Sequence, residues 1–233
     1  LIKSNLRNCN KFMSNSFYFI KEEFFFDKNL IQISNDKFKK IYEDNIYQTN
    51  ESNIREINAK FISREPFFDE IMKKIKTKFE KIINVSDLNF NKLWLVNSVS
   101  SKSKKNILPY VPHIDKSRFL KAMVYLHDVD VDHGPIHLGK TKKNVDVEKI
   151  RKNLPQNYKK KGLNILSKGQ IEGNLIPMIG KGGDVIFFDT NTPHRAGEIK
   201  EGYYRKVLRF DFERPSFNPK PNFLKKLFLK LIK

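Results

Sequence analysis

The stretch Ile107-Leu-Pro-Tyr-Val-Pro-His-Ile-Asp115 decides the fold that this sequence predicts. Pro109 and Pro112 both oppose a helix, because proline fixes its own φ and disfavours helical geometry in the residue before it. The stretch is therefore predicted to be extended. In an extended chain residues i and i+2 point to the same side, so His113 and Asp115 are expected to project together into one cavity.

Short apolar strands separated by glycine and proline turns surround this stretch. The predicted strands are Leu93–Val96, Phe119–His127, a short piece at Ile136 and Leu138, Val185–Asp189 and Tyr204–Phe212. His133-Gly-Pro135 and Gly182-Gly183-Asp184 are the clearest turns between them. Many short strands with such turns are typical of a sandwich or jelly roll rather than of a parallel sheet.

A second histidine and an arginine complete a candidate site. His194 follows the loop Thr190-Asn-Thr-Pro193, and Arg205 lies in the last predicted strand. Two imidazoles and one carboxylate can occupy one face of an Fe(II) octahedron, which leaves three positions open for a co-substrate and oxygen. Arg205 would supply a fixed cation for an anionic co-substrate. Arg209 has the same parity in that strand and is a rival for this role.

Other polar residues near these strands have structural interpretations. Taken alone, Asp115 would be predicted to cap the turn that begins at Lys116. Asp189 is predicted to organise the loop before His194. Three further histidines are predicted to be hydrogen-bonded or solvated residues rather than ligands: His127, His133 and His137.

From about Leu108 to Phe212 the sequence resembles the Fe(II)/2-oxoglutarate-dependent dioxygenases, most closely their phytanoyl-CoA dioxygenase-like branch. The matching pieces are Pro112-His113-Ile-Asp115, Met123–Val129, His133-Gly-Pro135, Gly183–Asp189, Pro193-His194-Arg-Ala-Gly197 and Arg205. The resemblance implies a mainly β protein with flanking helices, built on a double-stranded β-helix (a jelly-roll or cupin-like barrel). In that fold His113, Asp115 and His194 would hold Fe(II), and Arg205 would bind the far carboxylate of 2-oxoglutarate.

The resemblance also implies an activity, the hydroxylation of a C–H bond in a small or lipid- or glycan-linked metabolite. O2 would be the second co-substrate, and ascorbate would act as a stimulating reductant. Two departures affect these expectations. Ala196 replaces a small hydroxyl residue that often contacts 2-oxoglutarate, and Gly139-Lys-Thr-Lys142 replaces a Gly-Ser-His ending that borders the substrate.

Two other classes of protein fit part of the pattern. One is a cupin-like metal enzyme that does not use 2-oxoglutarate, and Arg205 speaks against it because such enzymes need no buried cation there. The other is a catalytically silent binding module, which the intact His113, Asp115 and His194 set disfavours.

The sequence predicts one domain over residues 1–214, with its catalytic core at about 92–213. Helices are expected at Ser34–Glu43, capped by Ser34 or Asn35, and at Pro66–Ile83, whose apolar stripe would pack on the barrel. The insertion Asn144–Gly162 has helical character and is broken by Pro155. It would be either a lid or, more commonly, a solvated connector.

The last segment, residues 215–233, is predicted to be a Pro-rich linker followed by a basic amphipathic helix. The four lysines of this helix, within residues 223–233, fall on one side of a helical wheel. Such a helix could lie on an anionic membrane surface, or it could dock on the domain or on a second subunit. The net charge of +19 is consistent with a chain that is rich in Lys and Asn throughout. The lysines are distributed along the whole sequence without interleaved aromatic residues, so nucleic acid is an unlikely partner.

A single cysteine, Cys9, allows no intrachain disulfide. Together with the lack of a long apolar run it favours the cytoplasm, with possible peripheral contact at the inner membrane surface. The sequence leaves the oligomeric state open.

Overall fold

The computed structural model describes residues 19–44, 52–58, 65–100 and 108–214. The strands in these ranges are β1 (Phe19–Glu22), β2 (Ser52–Asn58), β3 (Asn89–Val99), β4 (Leu120–Tyr125), β5 (His137–Thr141), β6 (Ile171–Pro177), β7 (Val185–Asp189), β8 (His194–Arg195) and β9 (Tyr204–Glu213). The helices are α1 (Lys28–Asp44), α2 (Pro66–Ile83) and α3 (Val147–Lys152). No helix among the described residues is long and apolar enough to cross a membrane.

The strands form two antiparallel sheets. The large sheet has the order β1-β7-β4-β9-β3-β2, and the small sheet has the order β6-β5-β8. His113 extends the small sheet, because it makes antiparallel bridges to His194 and Ile165. From β3 onward, with His113 counted in the small sheet, the chain alternates between the large and small sheets, except that β5 and β6 follow one another in the small sheet. This is the topology of a double-stranded β-helix. The predicted fold class is confirmed.

Alternation along the strands divides the large sheet into two faces. On its outer face, α1 and α2 cover the cluster that includes Leu95, Val124, Phe187 and Phe210. Helix α2 buries the stripe that its sequence predicted: Phe68, Ile71, Ile75, Phe79 and Ile82. The other face lines the barrel, where Met123, Ile186, Phe188 and Val207 pack with Leu138 of the small sheet.

The predicted start of the first helix is wrong by about two turns. Helix α1 begins at Lys28, and the Asp27 carboxylate accepts a hydrogen bond from the Leu30 N–H at 2.8 Å, which caps the helix. Ser34 lies inside the helix, fully buried, and its hydroxyl donates to the Leu30 carbonyl at 2.8 Å. Asn35 instead donates to the Leu126 carbonyl at 2.9 Å and ties the helix to the end of β4.

The first part of the insertion after β5 packs against the small sheet, whereas most of residues 155–163 are exposed. Its role as a lid or as a connector stays a prediction. Val147 of α3 is buried with Ile114, Leu166 and Ile171 on the outer face of the small sheet. The first part of the insertion therefore forms a packed layer behind the strand that carries His113. The predicted tail, residues 215–233, lies outside the described residues.

Candidate metal centre

The backbone brings the two predicted ligand histidines together. The His113 N–H donates to the His194 carbonyl and the His194 N–H donates to the His113 carbonyl, each at 3.0 Å. Paired residues of an antiparallel bridge place their side chains on the same face of the sheet. Accordingly the two ring centroids are 4.4 Å apart.

Both imidazoles are oriented by backbone carbonyls. His113 Nδ1 lies 2.8 Å from the Val111 carbonyl, and His194 Nδ1 lies 2.9 Å from the Thr192 carbonyl. A protonated Nδ1 donates to each carbonyl, and this fixes the tautomer that leaves the Nε2 lone pair free. Metal-binding histidines are generally held in this way.

Asp115 presents its two carboxylate oxygens to different partners. Oδ1 lies 3.5 Å from His194 Nε2, and Oδ2 lies 2.5 Å from Lys121 Nζ. One ligand atom from each of His113, Asp115 and His194 lies within 4.8 Å of the others. The three predicted ligands therefore converge, and the interpretation of Asp115 as a cap of the following turn is wrong.

The pKa shifts at the site suit a divalent cation. Burial lowers the pKa of His113 to about 3, with His194 adding to the effect, so its imidazole is neutral and can donate a lone pair at neutral pH. Burial alone would raise the pKa of Asp115. The Lys121 ammonium and His194 together outweigh burial, and the pKa of Asp115 lies well below its usual value.

The donor set fits a metal with open coordination positions. Two neutral nitrogens and one carboxylate on one side of a cavity are the arrangement of the facial triad that holds non-haem Fe(II). A closed structural zinc site would need a fourth protein ligand, and the described residues bring only these three together.

Lys121 is a site residue that the sequence analysis missed. It is 9% exposed and occupies an interior position of β4, where every neighbour is apolar. It has the same parity as Met123 and Tyr125, which line the barrel. The sequence could have identified Lys121 as a lysine at an inward-facing position of an apolar strand, since a buried ammonium needs a carboxylate partner.

Arg205 is buried inside the barrel with unused hydrogen-bonding capacity. One of its terminal nitrogens donates to the Gly134 carbonyl, whereas its Nε is buried without a partner. Burial lowers the pKa of Arg205, and the nearby phenols of Tyr125 and Tyr110 act in the opposite direction. In the described part of the chain no carboxylate pairs with this guanidinium.

Arg209, the rival cation, is already paired. Its Nε and one terminal nitrogen donate to the two Asp211 oxygens at 2.9 and 3.0 Å. Its guanidinium stacks on Trp94 at 4.6 Å from the ring centroid, and the Trp94 indole N–H donates to Asp211 at 2.9 Å. The two arginines share a face of β9 but differ in what they can still bind.

The remaining polar predictions near the site agree with the structure. His127 has both ring nitrogens satisfied, because Nδ1 lies 2.7 Å from the Asp128 carbonyl and Nε2 accepts from the Lys206 N–H at 3.1 Å. Asp189 organises the loop before His194, since its Oδ1 accepts the Asn191 N–H at 2.8 Å. His133 is held by Asp130, and His137 by the Pro135 carbonyl.

No protein-family model matches the chain, and no curated protein matches it. Solved structures match it in fold. The 2-oxoglutarate-dependent epimerase SnoN from nogalamycin biosynthesis aligns with 89% of this chain and 83% of its own, at 15% identity and a TM-score of 0.59.

HygX from Streptomyces hygroscopicus, solved with nickel and 2-oxoglutarate, aligns with 86% of this chain and 84% of its own, at 10% identity and a TM-score of 0.59. A prolyl-4-hydroxylase from Pseudomonas putida covers 85% of this chain and 94% of its own, at 14% identity and a TM-score of 0.51. At these identities the comparisons show a shared fold.

Proposed function

We propose that this protein is an Fe(II)- and 2-oxoglutarate-dependent oxygenase in which His113, Asp115 and His194 hold the iron. One observation carries the proposal: three donors lie within 4.8 Å of one another in a barrel that also buries the Arg205 guanidinium, for which the described residues supply no carboxylate partner. A buried cation of this kind calls for an anion. The similarity in fold to enzymes solved with 2-oxoglutarate supports the same choice.

In this proposal Arg205 binds the far carboxylate of 2-oxoglutarate. Its planar fork suits two parallel hydrogen bonds to a carboxylate, and its Nε is available to make one of them. The phenols of Tyr125 and Tyr110 lie near this guanidinium and oppose the effect of burial on its pKa. Arg209 is a poorer candidate because Asp211 already occupies its fork.

Iron, when bound with 2-oxoglutarate and O2, supplies the oxidising power to break an unactivated C–H bond as 2-oxoglutarate becomes succinate and CO2. The protein itself binds, orients and excludes water. Met123, Phe188 and Val207 make the barrel wall apolar. Lys121 holds Oδ2 of Asp115, which leaves Oδ1 to face the metal position.

For the reaction outcome we propose hydroxylation of a small or lipid- or glycan-linked metabolite, as the phytanoyl-CoA dioxygenase-like resemblance implies. Solved proteins of this fold include an epimerase and a prolyl hydroxylase, so the fold is compatible with several outcomes. SnoN and HygX were solved with nogalamycin RO and hygromycin B respectively, which supports a small-molecule substrate. We further propose a cytoplasmic protein whose tail contacts the inner membrane surface.

The test is release of succinate from 2-oxoglutarate by the purified protein with Fe(II) and ascorbate, alone and with candidate metabolites. Asp115→Ala is the matched control, because it removes a ligand from the same pocket. We expect slow uncoupled release by the wild-type protein, faster release with a true substrate, and none from the variant. A product that gains one oxygen atom identifies a hydroxylase. Oxygen consumption that does not depend on 2-oxoglutarate would instead indicate the cupin-like alternative.

A further inference from the structure

The segment between β5 and β6, residues 142–170, surrounds the metal-binding strand from outside the barrel. The Ile114 N–H donates to the Asn164 carbonyl at 3.1 Å, and the Asn164 side-chain amide donates to the Ile114 carbonyl at 3.0 Å. The Leu166 N–H donates to the Pro112 carbonyl at 2.8 Å. The backbone on both sides of His113 is thus held by this segment, which we call the support layer.

Arg151 of the support layer reaches both pieces of chain that carry the ligands. It is only 6% exposed. Its Nε donates to the Asp115 carbonyl at 3.0 Å, and one terminal nitrogen donates to the Thr190 carbonyl at 3.4 Å. Thr190 begins the loop that ends at His194. One rigid guanidinium therefore joins the backbone of a carboxylate ligand to the loop that delivers a histidine ligand.

Arg151 also forms an ion pair with Glu148, one helical turn earlier. Glu148 Oε1 lies 3.0 Å from a terminal nitrogen of Arg151 and 3.3 Å from one of Arg118. The same oxygen accepts a hydrogen bond from the Asn191 amide at 2.9 Å. Arg118 in turn contacts Asp189 at 2.6 Å. This network anchors Arg151 to the loop before His194 at a second point.

From this geometry we infer that Arg151 is a positioning residue of the metal centre, setting the separation of Asp115 and His194 from behind the small sheet. The inference rests on the metal site of the proposed function. A metal binds tightly when its donors are held at the required spacing before it arrives. Removing a partner outside the ligand shell typically weakens metal affinity about 10–100-fold. Arg151 is suited to this task because a planar fork can serve two carbonyls at once.

The experiment measures Co²⁺ and Mn²⁺ affinity by isothermal titration calorimetry, with no substrate present, for wild type, Arg151→Met, Arg151→Lys and Lys152→Met. Lys152 is the matched control, since it is an exposed cation on the same helix. We expect Arg151→Met to weaken binding about 10–100-fold and to change the visible spectrum of bound Co²⁺. Arg151→Lys should recover part of the affinity, because an ammonium reaches fewer acceptors. Lys152→Met should bind as wild type does.

The outcomes separate this inference from the proposal it rests on. If wild-type protein binds neither metal, the proposed function fails. If wild type binds and Arg151→Met binds with the same affinity and the same Co²⁺ spectrum, while unfolding at a lower temperature, Arg151 has only a structural role and the inference is overturned. Should Arg151→Met not fold, Arg151→Lys decides, because wild-type affinity and spectrum in that variant would overturn the inference equally.

Discussion

Replacing Arg205 with methionine should have opposite effects on the stability of the protein and on its affinity for 2-oxoglutarate. Arg205 is 7% exposed, its Nε is buried with no hydrogen-bond partner among the described residues, and burial lowers its pKa. Without a bound anion it is a buried charge that is poorly compensated. An unbranched apolar side chain in its place relieves that cost.

The size of each effect follows from these contacts. Loss of the hydrogen bond to Gly134 costs about 1 kcal/mol, and apolar replacement of poorly compensated buried charge gains about 1–4 kcal/mol. We therefore expect unliganded Arg205→Met to be about 0–3 kcal/mol more stable than wild type. Binding should weaken by about 3–5 kcal/mol, which is more than a hundredfold in affinity.

Thermal unfolding with Mn²⁺, with and without 2-oxoglutarate, measures both effects. At a 2-oxoglutarate concentration 100 times its Kd the wild-type protein gains about 2.7 kcal/mol, or about 5–10 °C for a chain of this size. At the same concentration Arg205→Met should shift by less than about 2 °C.

Arg209→Met is the control because it lies on the same face of the same strand. It removes the Arg209 partner of Asp211, a residue that is 4% exposed and also accepts a hydrogen bond from the Trp94 indole. This variant should lose about 2–3 kcal/mol of stability and keep most of its 2-oxoglutarate shift. The reasoning is refuted if Arg205→Met is destabilised as strongly as Arg209→Met and still responds to 2-oxoglutarate.

Three further predictions follow from the same structure. Alanine at His113, Asp115 or His194 should abolish Co²⁺ binding in calorimetry while circular dichroism stays native, and near-normal binding by any one variant would remove that residue from the ligand set. Phe79→Ala should cost about 3–5 kcal/mol in denaturant unfolding, because its ring is fully buried 5.0 Å from that of Phe187; a cost below about 1 kcal/mol would contradict this packing. Deletion of residues 222–233 should reduce sedimentation with anionic vesicles, since each lysine near such a surface contributes about 1 kcal/mol, and a loss of thermal stability with unchanged vesicle binding would indicate docking instead.

The sequence predicted two of the three ligands from a local signal, because His113 and Asp115 share one side of an extended chain, and it predicted His194 from the family resemblance. The predicted extension is wrong for residues 108–111, which form a turn and a bend before the bridge at His113. Helix α2 was equally predictable from its apolar stripe. A cap at Ser34 predicts the start of α1 two turns too late, because the Ser34 side chain is buried inside the helix and Asp27 caps it.

The pairing of Arg209 with Asp211 was within reach of the sequence, because residues i and i+2 of a strand share a face. This ion pair is what distinguishes Arg209 from Arg205 as a candidate for binding 2-oxoglutarate. Its strength depends on Trp94, which lies opposite Arg209 in the register of β3 and β9. Strand register is set by the packing of whole faces. The contact of Trp94 with Arg209 and Asp211 therefore appears only in the folded sheet.

By itself the sequence determined the main strands, the apolar stripe of α2, and the shared orientation of His113 and Asp115, and the family resemblance added His194 as the third metal-binding residue. The tertiary structure alone decided that Lys121 meets Asp115 and that Arg151 joins the Asp115 backbone to the loop before His194. It also decided that Arg205 is a buried cation to which no carboxylate among the described residues is paired. The physical reason is range. Parity and turn chemistry act over two to four residues, whereas the charges of the site are buried together by segments far apart in the chain, and a buried charge takes its partner from whatever the fold brings near.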